Sequence, residues 1–343
     1  MDAAVNAASV KRLDVARLTS PLVKRSDEMQ ALFDWLTEED KAMGVPDLAT
    51  LPVMEMRQWR ARTAVRTNAE LPVVASVERL HVPGLKSAPP VLCELITPVD
   101  AEPGCLLFIH GGGWVFGDIQ SHTRLAHVLA VETRKRTLYI DYRLAPETPY
   151  PGPLDDCIAA WRWIVARAGS EPGFKGPLSV CGDSAGGNLS MATILHEQQL
   201  GRRAPDMGLL FYGVYDDNFD TPSYLRFALG HGLARPGMMK FWEMYAPAET
   251  PGQPRQDPLL CPVRASEAAL ARLPPIYLNA SGMDPLLCDT IAMAERLEAA
   301  GATYEVNVHE GLHHGFMQQT ARLAESRRAF ALMGDFYRRH EKR

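Results

Sequence analysis

No apolar run in this 343-residue chain approaches the ~20 residues that a membrane-spanning helix needs. Residues 1–20 alternate alanines with Lys11, Arg12 and Arg17 and lack the continuous apolar stretch of a secretory signal. There is no C-x-x-C pair: Cys93, Cys105, Cys157, Cys181, Cys261 and Cys288 are scattered, several of them inside apolar runs where cysteine behaves as a small hydrophobe. That usage predicts reduced thiols and a cytoplasmic protein. No block of like charge interrupts the chain, and 36 basic against 41 acidic residues leave a net charge of −5. A dedicated nucleic-acid or anionic-membrane binder would carry a basic face, so both classes are excluded. Repeats of fixed period and low-complexity segments are missing too, which removes solenoids and linkers from consideration.

What is present is ordinary globular material. Apolar residues make up 46% and charged residues 22%, enough side-chain volume for a large core. The length fits two average domains or one α/β domain with an insertion. Met29, Leu32, Phe33 and Leu36 recur at the spacing of one helix face, and the segment around Trp59 is helix-like but less amphipathic. From about residue 70 the texture changes. Strands are predicted at 73–82, 91–98, 105–109, 137–141, 178–182, 207–212, 276–280 and 304–309, with helices at about 122–135, 154–168, 185–200, 286–300 and 320–338. This alternation implies a mostly parallel sheet with helices on both faces, and the short turn between the first two strands permits an antiparallel pair there. Residues 214–274 break the rhythm. They hold no clear strand but many large apolar groups, Tyr215, Tyr224, Phe241, Trp242 and Tyr245 among them. Such an insertion is either a packed unit of its own or a lid over a pocket shared with the N-terminal helices, and a lid needs packing as well.

The chemistry gathers at strand ends. Gly182-Asp183-Ser184-Ala185-Gly186-Gly187 follows a predicted strand and opens a predicted helix, the context in which a serine is held on a sharp strand-to-helix turn. A glycine-rich connection without chemistry would look similar, but its placement favours a nucleophile. Upstream, His110-Gly111-Gly112-Gly113-Trp114 leaves a strand with three bare glycines. Acyl transfer needs N–H donors aimed at an oxyanion, and Gly112, Gly113 and the N–H of Ala185 supply three. A phosphate cradle is the rival, yet the lysine and Ser/Thr of a P-loop and the G-x-G-x-x-G spacing are both missing. A serine hydroxyl requires a base, and in this arrangement the acid and then the histidine follow in chain order. Asp284 comes after the strand at 276–280, and His313 and His314 after that at 304–309. The residues alone leave either histidine as the base. Asp289, one helical turn past Asp284, reads as a cap or supporting group. A metal set of His309, His313 and His314 would require a helix that Gly311 and Gly315 oppose. His81, His122, His127, His196, His231 and His340 read as structural or solvent-facing.

Together, His110-Gly-Gly-Gly, Asp141-Tyr-Arg-Leu-Ala-Pro-Glu147, the Ser184 motif, Asp284-Pro-Leu and His314-Gly-Phe resemble the hormone-sensitive-lipase-like esterases, a bacterial and eukaryotic branch of the α/β-hydrolases, over about residues 70–340. The resemblance implies an α/β-hydrolase fold with an eight-stranded sheet and a helical cap. The cap would comprise residues 1–68 and the insertion 214–274; the catalytic domain would comprise 69–213 and 275–343. It implies a carboxylesterase without metal or cofactor, acting on esters of short to medium acyl chains. It assigns the base to His314, making Ser184, Asp284 and His314 the triad. It gives supporting places to His110, Glu147, Asp183 and Asn188. Trp114, Phe116, Tyr212 and Tyr215 are expected to wall the substrate pocket. The chain departs from the family pattern at Tyr212-Gly213, where Tyr-Pro is common, and at Leu286-Leu287-Cys288, where charged residues are common. An amidase with the same triad and a non-catalytic ligand-binding relative are the rivals. The expected partner is a small-molecule ester, with no nucleic acid and no membrane insertion, and the strand at 304–309 is a candidate pairing edge for a homodimer.

Overall fold

The computed structural model describes residues 13–248 and 255–341. One sheet of eight strands carries the molecule: β1 Ser76–Val82, β2 Val91–Thr97, β3 Glu102–Ile109, β4 Lys135–Asp141, β5 Leu178–Asp183, β6 Met207–Phe211, β7 Ile276–Met283 and β8 Tyr304–His313. Their spatial order is β1-β2-β4-β3-β5-β6-β7-β8. The β1–β2 and β2–β4 pairs are antiparallel and every later pair is parallel.

The reason the middle strands read as unbroken apolar runs is visible in β3. Leu107 and Ile109 join one core, whereas Leu106 and Phe108 join the other. Side chains alternate across a pleated strand, so a strand covered on both faces must be apolar at every position. The helices are, in chain order, α1 Val15–Leu18, α2 Asp27–Met43, α3 Val53–Ala64, α4 Thr123–Thr133, α5 Gly152–Ser170, α6 Ala185–Gln199, α7 Pro222–Arg226, α8 Arg235–Tyr245, α9 Glu267–Leu270, α10 Leu287–Ala299 and α11 Ala324–His340. Trp161 of α5, Leu189 of α6 and Met293 of α10 complete the first core. Leu125 and Leu129 of α4 and Phe330 and Met333 of α11 complete the second. No helix among the described residues is long and apolar enough to cross a membrane.

Several boundaries differ from the sequence expectation. β1 begins at Ser76 rather than 73, because its partner β2 ends at Thr97, before Pro98, and Ser76 pairs with that last residue. β6 ends at Phe211, since Tyr212 swings to φ +36° and donates its N–H to the Asn279 carbonyl. β8 continues to His313, four residues past the apolar run. Backbone pairing with an extended β7 resumes at Met283–His313 after an irregularity, and no apolar pattern marks it. The last helix starts at Ala324, because Phe316–Gln319 form a separate 3-10 turn.

Candidate active site

The turn between β5 and α6 holds Ser184 at φ +54° and ψ −119°, a backbone conformation that a non-glycine residue adopts only under constraint. Its neighbours explain the constraint. A Cβ on Gly182 would lie 2.2 Å from the Gly186 carbonyl oxygen, and one on Gly186 would lie 2.0 Å from that of Ile109. Neither position tolerates a side chain, so the two glycines let the turn close against β3.

His314 follows the end of β8, and Asp284 follows the end of β7. Ser184 Oγ lies 3.0 Å from His314 Nε2, and His314 Nδ1 lies 2.6 Å from Asp284 Oδ2. An ionised carboxylate only accepts, so the imidazole proton sits on Nδ1 and the Nε2 lone pair faces the serine. Asp284 is fully buried, and its second oxygen accepts the Leu286 N–H at 2.9 Å. Three side chains separated by up to 130 residues thus form one hydrogen-bonded line at the carboxyl ends of the strands. His313 is turned away from this line. Its Nε2 accepts from Arg25 Nε at 2.6 Å, and burial, Arg25 and His231 push its pKa down to about 3. His309 faces Asn279 Nδ2 at 3.1 Å, so the three histidines of the metal alternative are committed to three different partners.

Gly112 and Gly113, at φ +122° and +58°, share with Ser184 the lining of one cavity of about 1230 Å³. A Cβ on Gly112 would meet the Phe116 carbonyl at 1.9 Å, and one on Gly113 the Phe241 ring at 2.5 Å. Ala185 is the first residue of α6, where backbone N–H groups lack an intrahelical acceptor. Asp183 joins the two loops: its Oδ1 accepts the Gly111 N–H at 2.9 Å, and its Oδ2 faces Gln318 Nε2 and His122. Burial alone would raise the Asp183 pKa, but His122, the Gly111 N–H and His110 outweigh it and hold the carboxyl below its ordinary value. His110 stacks on Tyr142, whose hydroxyl donates to the His110 carbonyl, and burial keeps its ring neutral with a pKa near about 4. Asn188 Nδ2 donates to the Val214 and Leu260 carbonyls, tying the elbow helix to the start of the insertion and to a point within its second half. Asp289 is buried and accepts the N–H groups of Tyr215 and Asp216, a supporting position at the root of the insertion.

The pocket expectation needs correction. Phe116 lines the cavity, but Trp114, Tyr212 and Tyr215 do not. Trp114 is buried beneath α8, stacked on Tyr245 with ring centroids 4.4 Å apart. Tyr212 packs its ring against His314 from behind, with centroids 4.9 Å apart. Tyr215 folds back over Gly213 inside the first core. Large aromatic rings gain most from complete removal from water, and these three achieve it. The walls come instead from α2, α3 and α8, through residues such as Leu32, Met56, Met238 and Phe241.

Two residues escaped the sequence reading. Arg57 of α3 grips Glu147 with both terminal nitrogens, at 2.9 and 2.7 Å, and also donates to the Val115 and Ala145 carbonyls. Arg25 joins His313 to the Gly230 carbonyl and Gln30. Nothing local in the sequence marks either arginine, because the partners that tie them to the site, Val115, Ala145, Glu147, Gly230 and His313, lie 58 to 288 residues away. His122 and His231, read as structural or solvent-facing, also border the site: His122 faces Asp183, and the His231 carbonyl accepts the His314 N–H.

Comparison with known proteins agrees with this architecture. Residues 106–318 match the alpha/beta hydrolase fold family. An ethyl acetate hydrolase of Pseudomonas putida is 33% identical over 256 residues, 72% of this chain and 78% of that protein. An alpha/beta hydrolase enzyme from the metagenome of Lake Arreo, Spain, superposes with a TM-score of 0.82 at 31% identity, covering 92% of this chain and 98% of that one. A thermostable esterase from Pseudomonas putida ECU1011 gives 0.81 at 27% identity, covering 94% and 98%. With its elbow serine, its strand-end acid and histidine and its glycine loop, the chain belongs to the alpha/beta hydrolase fold family, in the hormone-sensitive-lipase-like branch that its motifs resemble.

Proposed function

We propose that this protein is a serine carboxylesterase that hydrolyses esters of short to medium acyl chains. The observation that carries this reading is the hydrogen-bonded line Ser184–His314–Asp284 opening into a cavity floored by glycine backbone. The ester carbonyl enters beside Gly112, Gly113 and Ala185. Ser184 Oγ attacks the carbonyl carbon while His314 Nε2 takes its proton, and Asp284 stabilises the imidazolium. Negative charge on the carbonyl oxygen meets the three backbone N–H groups, each worth on the order of 10²–10³ in rate. The alcohol departs with the proton from His314, and water activated by the same ring releases the acid. The similarity to an ethyl acetate hydrolase and to a thermostable esterase supports ester rather than amide chemistry. No observation favours the ligand-binding alternative.

Residues 13–68, 214–248 and 255–274 form the cap in this reading, and 69–213 with 275–341 the catalytic domain; the remainder of the expected bounds, 1–12, 249–254, 342 and 343, lies outside the described residues. α2, α3 and α8, which border the cavity, support that division. All six cysteines are free, which supports a reducing, cytoplasmic location. The outer edge of β8 is the pairing site of a homodimer, supported by its terminal place in the sheet.

Ser184→Ala is the direct test. It is expected to abolish hydrolysis of p-nitrophenyl butyrate and labelling by a fluorophosphonate while the circular dichroism spectrum is retained. Wild-type turnover by this variant would overturn the assignment.

A further inference from the structure

The cavity lining is apolar over much of its extent, yet it contains a cation without a carboxylate beside it. Four arginines border it along its cap side and floor. Arg57 is held by Glu147, Arg66 by Asp40 and Arg143 by Asp156. Arg60, one turn along α3 from Arg57, is the exception: among the described residues no carboxylate lies within ion-pair distance of it. Its guanidinium instead lies 4.8 Å from the centroid of the Phe116 ring. Water reaches it through the cavity, but protein surrounds it closely enough that desolvation lowers its pKa, with only the more distant Asp40 opposing. A cation on an aromatic face is stabilised modestly, and it keeps its in-plane N–H donors available.

The position matters as much as the charge. Phe116 follows the glycine loop, and its ring edge lies 3.2 Å from where a Gly112 Cβ would stand. Phe116 also meets Phe241 of α8 edge to face. Arg60 is therefore one aromatic ring away from the N–H groups assigned to the oxyanion. Two acids of the same lining are engaged elsewhere: Asp183 accepts from Gly111, and Asp118 caps the turn at Gln120 and Ser121. Asp141 is not paired with Arg60; burial and the like charges of Asp118 and Glu94 raise its pKa to about 6, which reduces its negative charge near neutral pH. Lys240 of α8 adds a further positive charge to the same wall.

Resting on the esterase reading, we propose that Arg60 is a specificity-determining residue that recognises a free carboxylate on the substrate, so that the preferred esters are anionic. A carboxylate matches the guanidinium fork with two parallel hydrogen bonds, which a neutral alkyl end cannot make. The ester bond is cleaved as described above, and the carboxylate takes no part in the chemistry.

The test uses two matched pairs. Monoethyl adipate against ethyl hexanoate places the charge on the acyl side, and 4-acetoxybutyrate against butyl acetate places it on the alcohol side. The wild type is expected to favour the charged member of one pair. In Arg60→Gln the charged-to-neutral ratio of kcat/KM for that pair should fall about tenfold or more, with Arg60→Lys between the two. The preference should also weaken in high salt, which screens an accessible charge. A ratio unchanged by Arg60→Gln, or rejection of both charged esters by the wild type, overturns the proposal. Binding of monoethyl adipate and ethyl hexanoate to Ser184→Ala, with and without Arg60→Gln, reads the same preference without turnover. A wild type that hydrolyses none of the four esters would therefore sink the esterase reading, while the binding pair would still decide the role of Arg60.

Discussion

At the scale of single residues, the adjacent pair His313 and His314 shows how neighbours acquire opposite tasks. His314 faces Ser184 and Asp284, whereas His313 accepts from a cation and is held neutral. His314→Ala is expected to reduce kcat on p-nitrophenyl butyrate by about 10⁴ or more. His313→Ala should cost far less, and steady-state kinetics on the two variants checks the order. Asp141 gives a pH-dependent expectation. Burial, Asp118 and Glu94 raise its pKa to about 6 from an ordinary 3.8. A carboxyl raised on folding favours the folded state fully below its unfolded pKa, and that advantage is lost as pH rises through about 6. Asp141→Asn should therefore raise the melting temperature by roughly 2 °C or more at pH 8 and change it little at pH 4, read by thermal unfolding at both values. The triad itself was legible in the sequence because each member sits in a short motif at a strand end. Choosing between the two histidines needed the family resemblance, since both share the same chain position.

At the scale of elements, the segment from Arg17 to Ser26 is fastened to the end of β8. Arg17 pairs with Glu310, the Ser26 N–H donates to the Gly311 carbonyl, and Arg25 reaches His313. From the other side, the insertion offers the His231 carbonyl to the His314 N–H. The loop bearing the base is thus clamped between two pieces of the proposed cap. Arg25→Ala is expected to lower kcat by about tenfold with a smaller change in KM, because it loosens the base rather than the pocket. Added guanidinium should restore part of that loss in steady-state assays, whereas a variant that is merely misfolded would not respond. Strand and helix identities followed from apolar periodicity, so the β–α alternation was readable. The extension of β8 and the early end of β6 were not, because backbone pairing and one turned residue, Tyr212, decide them. The aromatic walls were misjudged for a related reason: large rings near a site are as readily buried behind it as exposed within it.

At the scale of the whole molecule, the sheet closes on neither side, and β8 is its parallel edge. If that edge pairs with a second copy, sedimentation velocity should give twice the chain mass at micromolar concentration. Amide exchange along β8 should slow as concentration rises. A single species of monomer mass across that range would remove the dimer from the proposal. The central strands were foreseeable from their continuous apolar runs, but not their order in the sheet, and the cap was only outlined, since its contacts join segments remote along the chain. The 288-residue interval between Arg25 and His313 has a further meaning on the ribosome. At about 5–20 residues per second, the segment bearing Arg25 waits roughly 15–60 s for its docking partner to be synthesised. Through that wait its apolar face, Met29 and Leu32, has no finished surface to cover. Nascent chains stalled before β8 should therefore be the forms most dependent on chaperones, and hydrolytic competence should arrive only once β8 and His314 have been made.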